Sequence, residues 1–199
     1  MCGIVGVSAA QPVNQLVYDA LLLLQHRGQD STGIATDENG TFHMAKVKGQ
    51  VREAYRTRDM RSLLGSTGLG HVRYATRGSA ASEQEAQPFY VNAPYGIVLV
   101  HNGNLTNTRE LTADLFHVDR RHLNTDSDTE LLVNVLANEL QAQVSGTDLD
   151  PVDATNGYGL PGTVSGEIAI LKSGGYTGLS DIAICGASAS ISRRVYSTR

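Results

Sequence analysis

Cysteine is scarce: Cys2 and Cys185 are the only two in 199 residues. Two so far apart exclude a disulfide framework and a cysteine-paired metal site, and they fit a reducing, cytoplasmic setting. Charge is thin as well. The 16 Lys and Arg face 20 Asp and Glu for a net charge of −4, without a basic run, so nucleic acid is not an expected partner. The longest unbroken apolar stretch, residues 20–24, is far too short to cross a bilayer. No charged leader precedes an apolar core, so neither a membrane association nor a secretory signal is expected. The six histidines show no zincin spacing, and Gly174, Gly175 and Gly178 fit no phosphate loop. No internal repeat is visible.

What remains, 41% hydrophobic and 18% charged, fits a soluble globular chain of one sizeable domain or two small ones. Residues 2–8 read as a strand. Pro12 suits a first helical position, and Val13, Leu16, Val17, Ala20, Leu21 and Leu24 form one helical face ending near Gly28. Residues 33–36 and 41–47 read as a hairpin across Asn39-Gly40. A short helix is expected over 57–64 and a strand from Gly70 that opens into a loop of small residues at 75–82. The apolar run 95–100 predicts a central strand that delivers His101-Asn102-Gly103-Asn104-Leu105 at its end, followed by a helix over 107–116. Ser127 and Glu130 have capping-box spacing, and Leu131, Leu132, Val135, Leu136 and Leu140 supply the buried stripe of the helix they start. Beyond about Ser145, Gly, Ser, Thr and Ala dominate and helical periodicity stops, with possible strands at 167–171 and 181–184.

Four places combine backbone order with reactive chemistry. Removal of Met1 would put an α-amine and a thiol on one residue, Cys2. An amine titrating near 7.7–8.0 can then serve as base for its own side chain. Asn102 and Gly103 offer a side-chain amide and an unhindered backbone N–H to an oxyanion. Arg73 offers a planar fork for a carboxylate, and Asp128 a counter-charge for an ammonium. A zwitterion ending in a carboxamide, which is glutamine, would satisfy all four. Each residue also has an ordinary role: Arg73 in a surface ion pair, Asn102-Gly103 in a hairpin turn, Asp128 at a helix dipole.

A resemblance weighs between these readings. Residues 2–6 (Cys-Gly-Ile-Val-Gly), 24–33 (Leu-Gln-His-Arg-Gly-Gln-Asp-Ser-Thr-Gly), 70–74 (Gly-His-Val-Arg-Tyr), 85–89 (Glu-Ala-Gln-Pro-Phe), 101–107 (His-Asn-Gly-Asn-Leu-Thr-Asn) and 125–130 (Thr-Asp-Ser-Asp-Thr-Glu) follow in one order. Over roughly residues 2–143 the chain resembles the N-terminal glutaminase domain of the amidophosphoribosyltransferase family, class II glutamine amidotransferases of purine synthesis with an N-terminal nucleophile. The resemblance implies an α+β fold, a four-layer α/β/β/α sandwich of two antiparallel sheets, incomplete toward the C-terminus in this chain. It implies Cys2 as nucleophile, Asn102 and Gly103 as oxyanion hole, and Arg73, Asp128, Thr76, Arg27 and Gly28 as substrate contacts. It also implies a closing loop at 75–82, glutamine as substrate, a homo-oligomer, and no cofactor for this domain. Magnesium would accompany only a phosphoribosyltransferase domain, for which residues 145–199 carry no signature. That stretch is left as an atypical, unassigned tail to a domain spanning 1–144, and Cys185 alone does not support an iron–sulfur cluster. A sugar-phosphate acceptor, as in glucosamine-6-phosphate synthase, and a non-catalytic remnant are the competing expectations.

Overall fold

The computed structural model describes residues 2–74, 83–117, 119–144, 164–173 and 181–185. Strands β1 (Gly3–Ser8), β2 (Ser31–Glu38), β3 (Thr41–Lys48) and β4 (Thr67–Arg73) form one antiparallel sheet in the order β1-β4-β2-β3. The β2–β3 hairpin turns at Asn39 and Gly40, whose φ values of 51° and 92° give the double left-handed turn that follows strand twist. Helix α1 (Asn14–Leu24) covers the outer face of this sheet through Val17 and Leu21, joined by Val13 at its N-cap, all fully buried against Ile34 and Val72. Leu16 was expected on that face but is 54% exposed, because the Val13–Val17–Leu21 row already meets the sheet. The helix starts at Asn14 rather than Pro12, and the Asn14 amide donates to the Met60 carbonyl at 2.7 Å. Two short helices follow, α2 (Val51–Ala54), absent from the sequence reading, and α3 (Thr57–Ser62).

Strands β5 (Phe89–Val91), β6 (Gly96–Leu105), β7 (Val164–Ser173) and β8 (Asp181–Cys185) form the second antiparallel sheet, in that order. Helices α4 (Thr108–His117) and α5 (Asp128–Val144) pack on its outer face, where Leu131, Leu132, Val135, Leu136 and Leu140 are buried with Ile97, Leu99, Leu111 and Leu115. The sequence reading ends the central strand at Val100. It runs instead to Leu105, because β7 pairs with it down to Leu105↔Val164. Both β7 and β8 lie beyond residue 144, and β7 pairs with β6 from the other side of it.

Strand alternation assigns the faces. Ile4, Ala35, Leu69, Val98 and Val100 meet between the sheets, while Ile97 and Leu99 turn toward α5. The result is the four-layer sandwich α/β/β/α. By the same period of two, Cys2, Arg73 and Asn102 belong to the faces that look into the gap, at one end of it.

Candidate active site

Cys2 stands one residue before β1, and a turn within 24–30 supports it. The Arg27 Nε donates to the Cys2 carbonyl at 3.0 Å, so this arginine fixes the backbone of the candidate nucleophile. Gln25 ties the turn down, donating to the Gly28 carbonyl at 2.5 Å and accepting the Val51 N–H at 2.6 Å. At Gly28 a Cβ would fall 2.6 Å from the Arg73 carbonyl carbon, so the lack of a side chain lets the end of β4 lie against this turn. Asp30 N–H then donates to the Arg73 carbonyl at 3.0 Å. Arg27 and Gly28 therefore shape the frame around Cys2 and Arg73.

The backbone nitrogen of Cys2 lies 3.2 Å from Asn102 Oδ1, joining positions 100 residues apart. With Oδ1 on that nitrogen, Nδ2 is the donor end of the Asn102 amide. The Cys2 sulfur sits against the Tyr74 backbone, 3.5 Å from its N–H and 3.8 Å from its carbonyl. Burial pushes the Cys2 thiol above its ordinary range; the Tyr74 N–H, the terminal ammonium and Arg73 pull it down, and Asp128 pushes it further up. The thiol therefore stays protonated near neutral pH, and attack requires a base.

Arg73, at the end of β4, is buried and its guanidinium donates to Glu85 at 2.7 Å. The surface ion pair considered for it is thus a buried one, with a partner that the sequence reading did not single out. Asp128 opens α5, where the Ser127 hydroxyl accepts the Thr129 N–H at 3.3 Å. The expected capping box is not made: the hydroxyl takes the Thr129 rather than the Glu130 N–H, and Glu130 turns back to the Asn124 and Thr125 N–H groups at 2.9 and 2.8 Å. Burial pushes the Asp128 carboxyl up, but His101, the Leu105 backbone and Thr129 more than offset it and hold the carboxyl below the usual range. The buried His101 Nδ1 is 3.9 Å from Asp128 Oδ1, too long for a hydrogen bond.

Asn102 and Gly103 lie within β6 rather than in a turn after it. The N–H and C=O of a strand residue point to the same side, as do those of the residue two further on. His101 directs both groups to the Gln87 side chain, on the β5 edge. Those of Gly103 therefore point the same way, beyond the end of the β5 ladder at Phe89↔Leu99. Thr76 and the rest of 75–82, along with Met1, lie outside the described residues. Among the described residues no group of three His, Cys, Asp or Glu could hold a metal, and no helix is long and apolar enough to cross a membrane. Four residues escaped the sequence reading as parts of the site: Tyr74, Glu85, Gln87 and His101. Each sits inside a quoted segment, but only the three-dimensional pairing gives it a task.

The glutamine amidotransferase domain family matches residues 55–145. The amidophosphoribosyltransferase of Escherichia coli (strain K12) is 57% identical over 141 residues, covering 70% of this chain and 28% of that protein. That of Pasteurella multocida (strain Pm70) is 56% identical over 154 residues, covering 77% and 30%. The chain thus spans under a third of the length of these curated relatives. The solved glutamine phosphoribosylpyrophosphate amidotransferase of B. subtilis, complexed with ADP and GMP, superposes with a TM-score of 0.69 at 26% identity, over 92% of this chain and 37% of that one. The shared sandwich and this level of identity lead to one assignment: the chain carries a glutamine amidotransferase domain of the kind found at the N-terminus of amidophosphoribosyltransferases, with the N-terminal nucleophile hydrolase fold.

Proposed function

We propose that this chain hydrolyses the side-chain amide of glutamine to glutamate and ammonia through a thioester on Cys2. The observation that carries the reading is the 3.2 Å approach of the Cys2 nitrogen to Asn102 Oδ1, which brings a nucleophile and an oxyanion donor together from opposite sheets. Once Met1 is removed, that nitrogen is an α-amine, and it takes the thiol proton as sulfur attacks the amide carbon. The tetrahedral oxygen gathers the Asn102 Nδ2 and Gly103 N–H donors. The α-ammonium then returns the proton to the leaving nitrogen, ammonia departs, and water attacks the thioester with the amine again as base. Arg73, held by Glu85, takes the α-carboxylate, and Asp128 the α-ammonium. Thr76 completes the substrate contacts in this reading.

The relatives' name supports phosphoribosyl pyrophosphate as acceptor of the ammonia, giving 5-phosphoribosylamine in the complete enzyme, over a sugar phosphate. The test is direct. Intact mass should show a chain without Met1, and a glutamine-like diazo-ketone should alkylate Cys2 once, forming a thioether with loss of N2. Cys2→Ala should take no label and release no glutamate. Glutamate release by Cys2→Ala at the parent rate defeats the reading.

A further inference from the structure

We propose that Gln87 is a positioning residue that holds the oxyanion strand and the ammonium-binding helix in one register, an inference that rests on the glutaminase reading for its kinetic consequences. The β5–β6 ladder runs Val91↔Ile97, Tyr90↔Val98, Phe89↔Leu99, so the next non-adjacent step of the same register is Gln87 opposite His101. There the backbone of the chain leaves the sheet and the Gln87 carboxamide takes its place. Its Oε1 accepts the His101 N–H at 2.6 Å, and its Nε2 donates to the His101 carbonyl at 3.0 Å. A side-chain amide thus supplies the donor and acceptor that a strand peptide would have supplied. The same Nε2 also donates to the Thr129 hydroxyl at 2.9 Å, and Thr129 Oγ1 lies 3.4 Å from Asp128 Oδ1.

Each partner of Gln87 is the immediate neighbour of a substrate-contacting residue: His101 precedes Asn102, and Thr129 follows Asp128. The carboxamide is buried and uses both donor hydrogens and its acceptor, so it is locked rather than free to adapt. Gly33 makes its place. A Cβ there would fall 1.9 Å from the Gln87 carbonyl oxygen and 2.8 Å from Pro88 Cδ, so only glycine lets this segment enter between the sheets. Ending the ladder in a side chain also leaves the Gly103 N–H outside it, on the edge where the oxyanion is proposed to bind.

Three variants of the full chain separate the two arms. Thr129→Val leaves the bonds to β6 intact and removes the link to α5 together with the Thr129 hydroxyl's contact with Asp128. It should raise the glutamine KM about 5-fold, with kcat within about 2-fold of the parent. The KM of the analogue lacking the α-amino group should not move, because Asp128 has nothing to hold there. Gln87→Leu cuts both arms, and kcat should fall at least about 10-fold. Amide hydrogen exchange over 99–103 should accelerate, while β1 and β4 exchange as in the parent. Gln87→Glu keeps the acceptor for the His101 N–H and should restore part of the lost kcat but not the KM. If Gln87→Leu does not fold, the kinetics of Gln87→Glu decide, a parent-like glutamine KM in that variant overturning the proposal. An equal KM rise for both substrates in Thr129→Val, or parent-like exchange over 99–103 in Gln87→Leu, overturns the proposal. A parent chain that releases no glutamate defeats the glutaminase reading instead, and exchange still decides whether Gln87 ties β6 to α5.

Discussion

Cys2 and Asp128 act on each other through the field between them. The carboxylate is one of the influences that keep the thiol above its ordinary range, after burial itself. The same carboxylate, held ionised by its neighbours, is the proposed seat of the substrate ammonium. When a substrate ammonium arrives, its charge offsets that of Asp128, and the thiol becomes easier to ionise just as the amide carbon comes within reach. Asp128→Asn separates these consequences. The glutamine KM should rise roughly 10-fold or more, the value of a charge-assisted hydrogen bond. The empty enzyme's Cys2 should meanwhile alkylate faster with iodoacetamide at neutral pH, since one influence raising its pKa is gone. A rise in KM without faster alkylation would mean that the two groups are not electrostatically coupled.

At the scale of elements, the site depends on places where two backbones approach without side chains between them. Gly33 in β2 is the tightest: Gly33→Ala would drive a methyl into the Gln87 backbone, and neither the strand nor the crossing segment can yield independently. The substitution should cost about 3 kcal/mol, the upper end for overpacking, seen as a lower urea midpoint, and should abolish glutamate release. A fully stable Gly33→Ala chain would contradict this geometry. Such approaches also mark the limit of what the sequence discloses. The α5 stripe, the Asn39-Gly40 turn and the meeting of Cys2 with Asn102 are legible because each depends on local period, local turn chemistry or an ordered motif. The length of β6 is not, because it is decided by a partner strand some 60 residues on, through His101↔Ile168 and Leu105↔Val164. Nor is the outward turn of Leu16, since a helix of mostly apolar residues does not say which row meets the sheet. Glu130 has capping-box spacing, yet it serves the Asn124 and Thr125 N–H groups because the preceding loop folds back within its reach. Gln87 reads as an ordinary polar residue before a proline until β6 is laid beside it.

For the molecule as a whole, the joint between the two sheets carries an acid-sensitive group. His71 is fully buried on β4, and both ring nitrogens lack hydrogen-bond partners among the described residues. Burial first, with the nearby charge of Arg73, pushes its pKa down to about 3, against a partial opposing contact from the His101 backbone. In the unfolded chain the imidazole titrates near 6.5. Between these two values the unfolded state holds a proton that the folded state does not, so stability falls as pH falls. Above about pH 6.5 both states are neutral and the contribution is complete; below it, roughly 1.4 kcal/mol is lost per pH unit. Urea unfolding should therefore show a loss of about 2 kcal/mol from this residue between pH 6.5 and pH 5. His71→Phe, which fills the same space with no titrating group, should lose less over that interval by the same amount. Parallel curves for the two chains would mean that the imidazole takes up its proton inside the fold, and that the joint between the sheets admits a charge which its surroundings do not compensate.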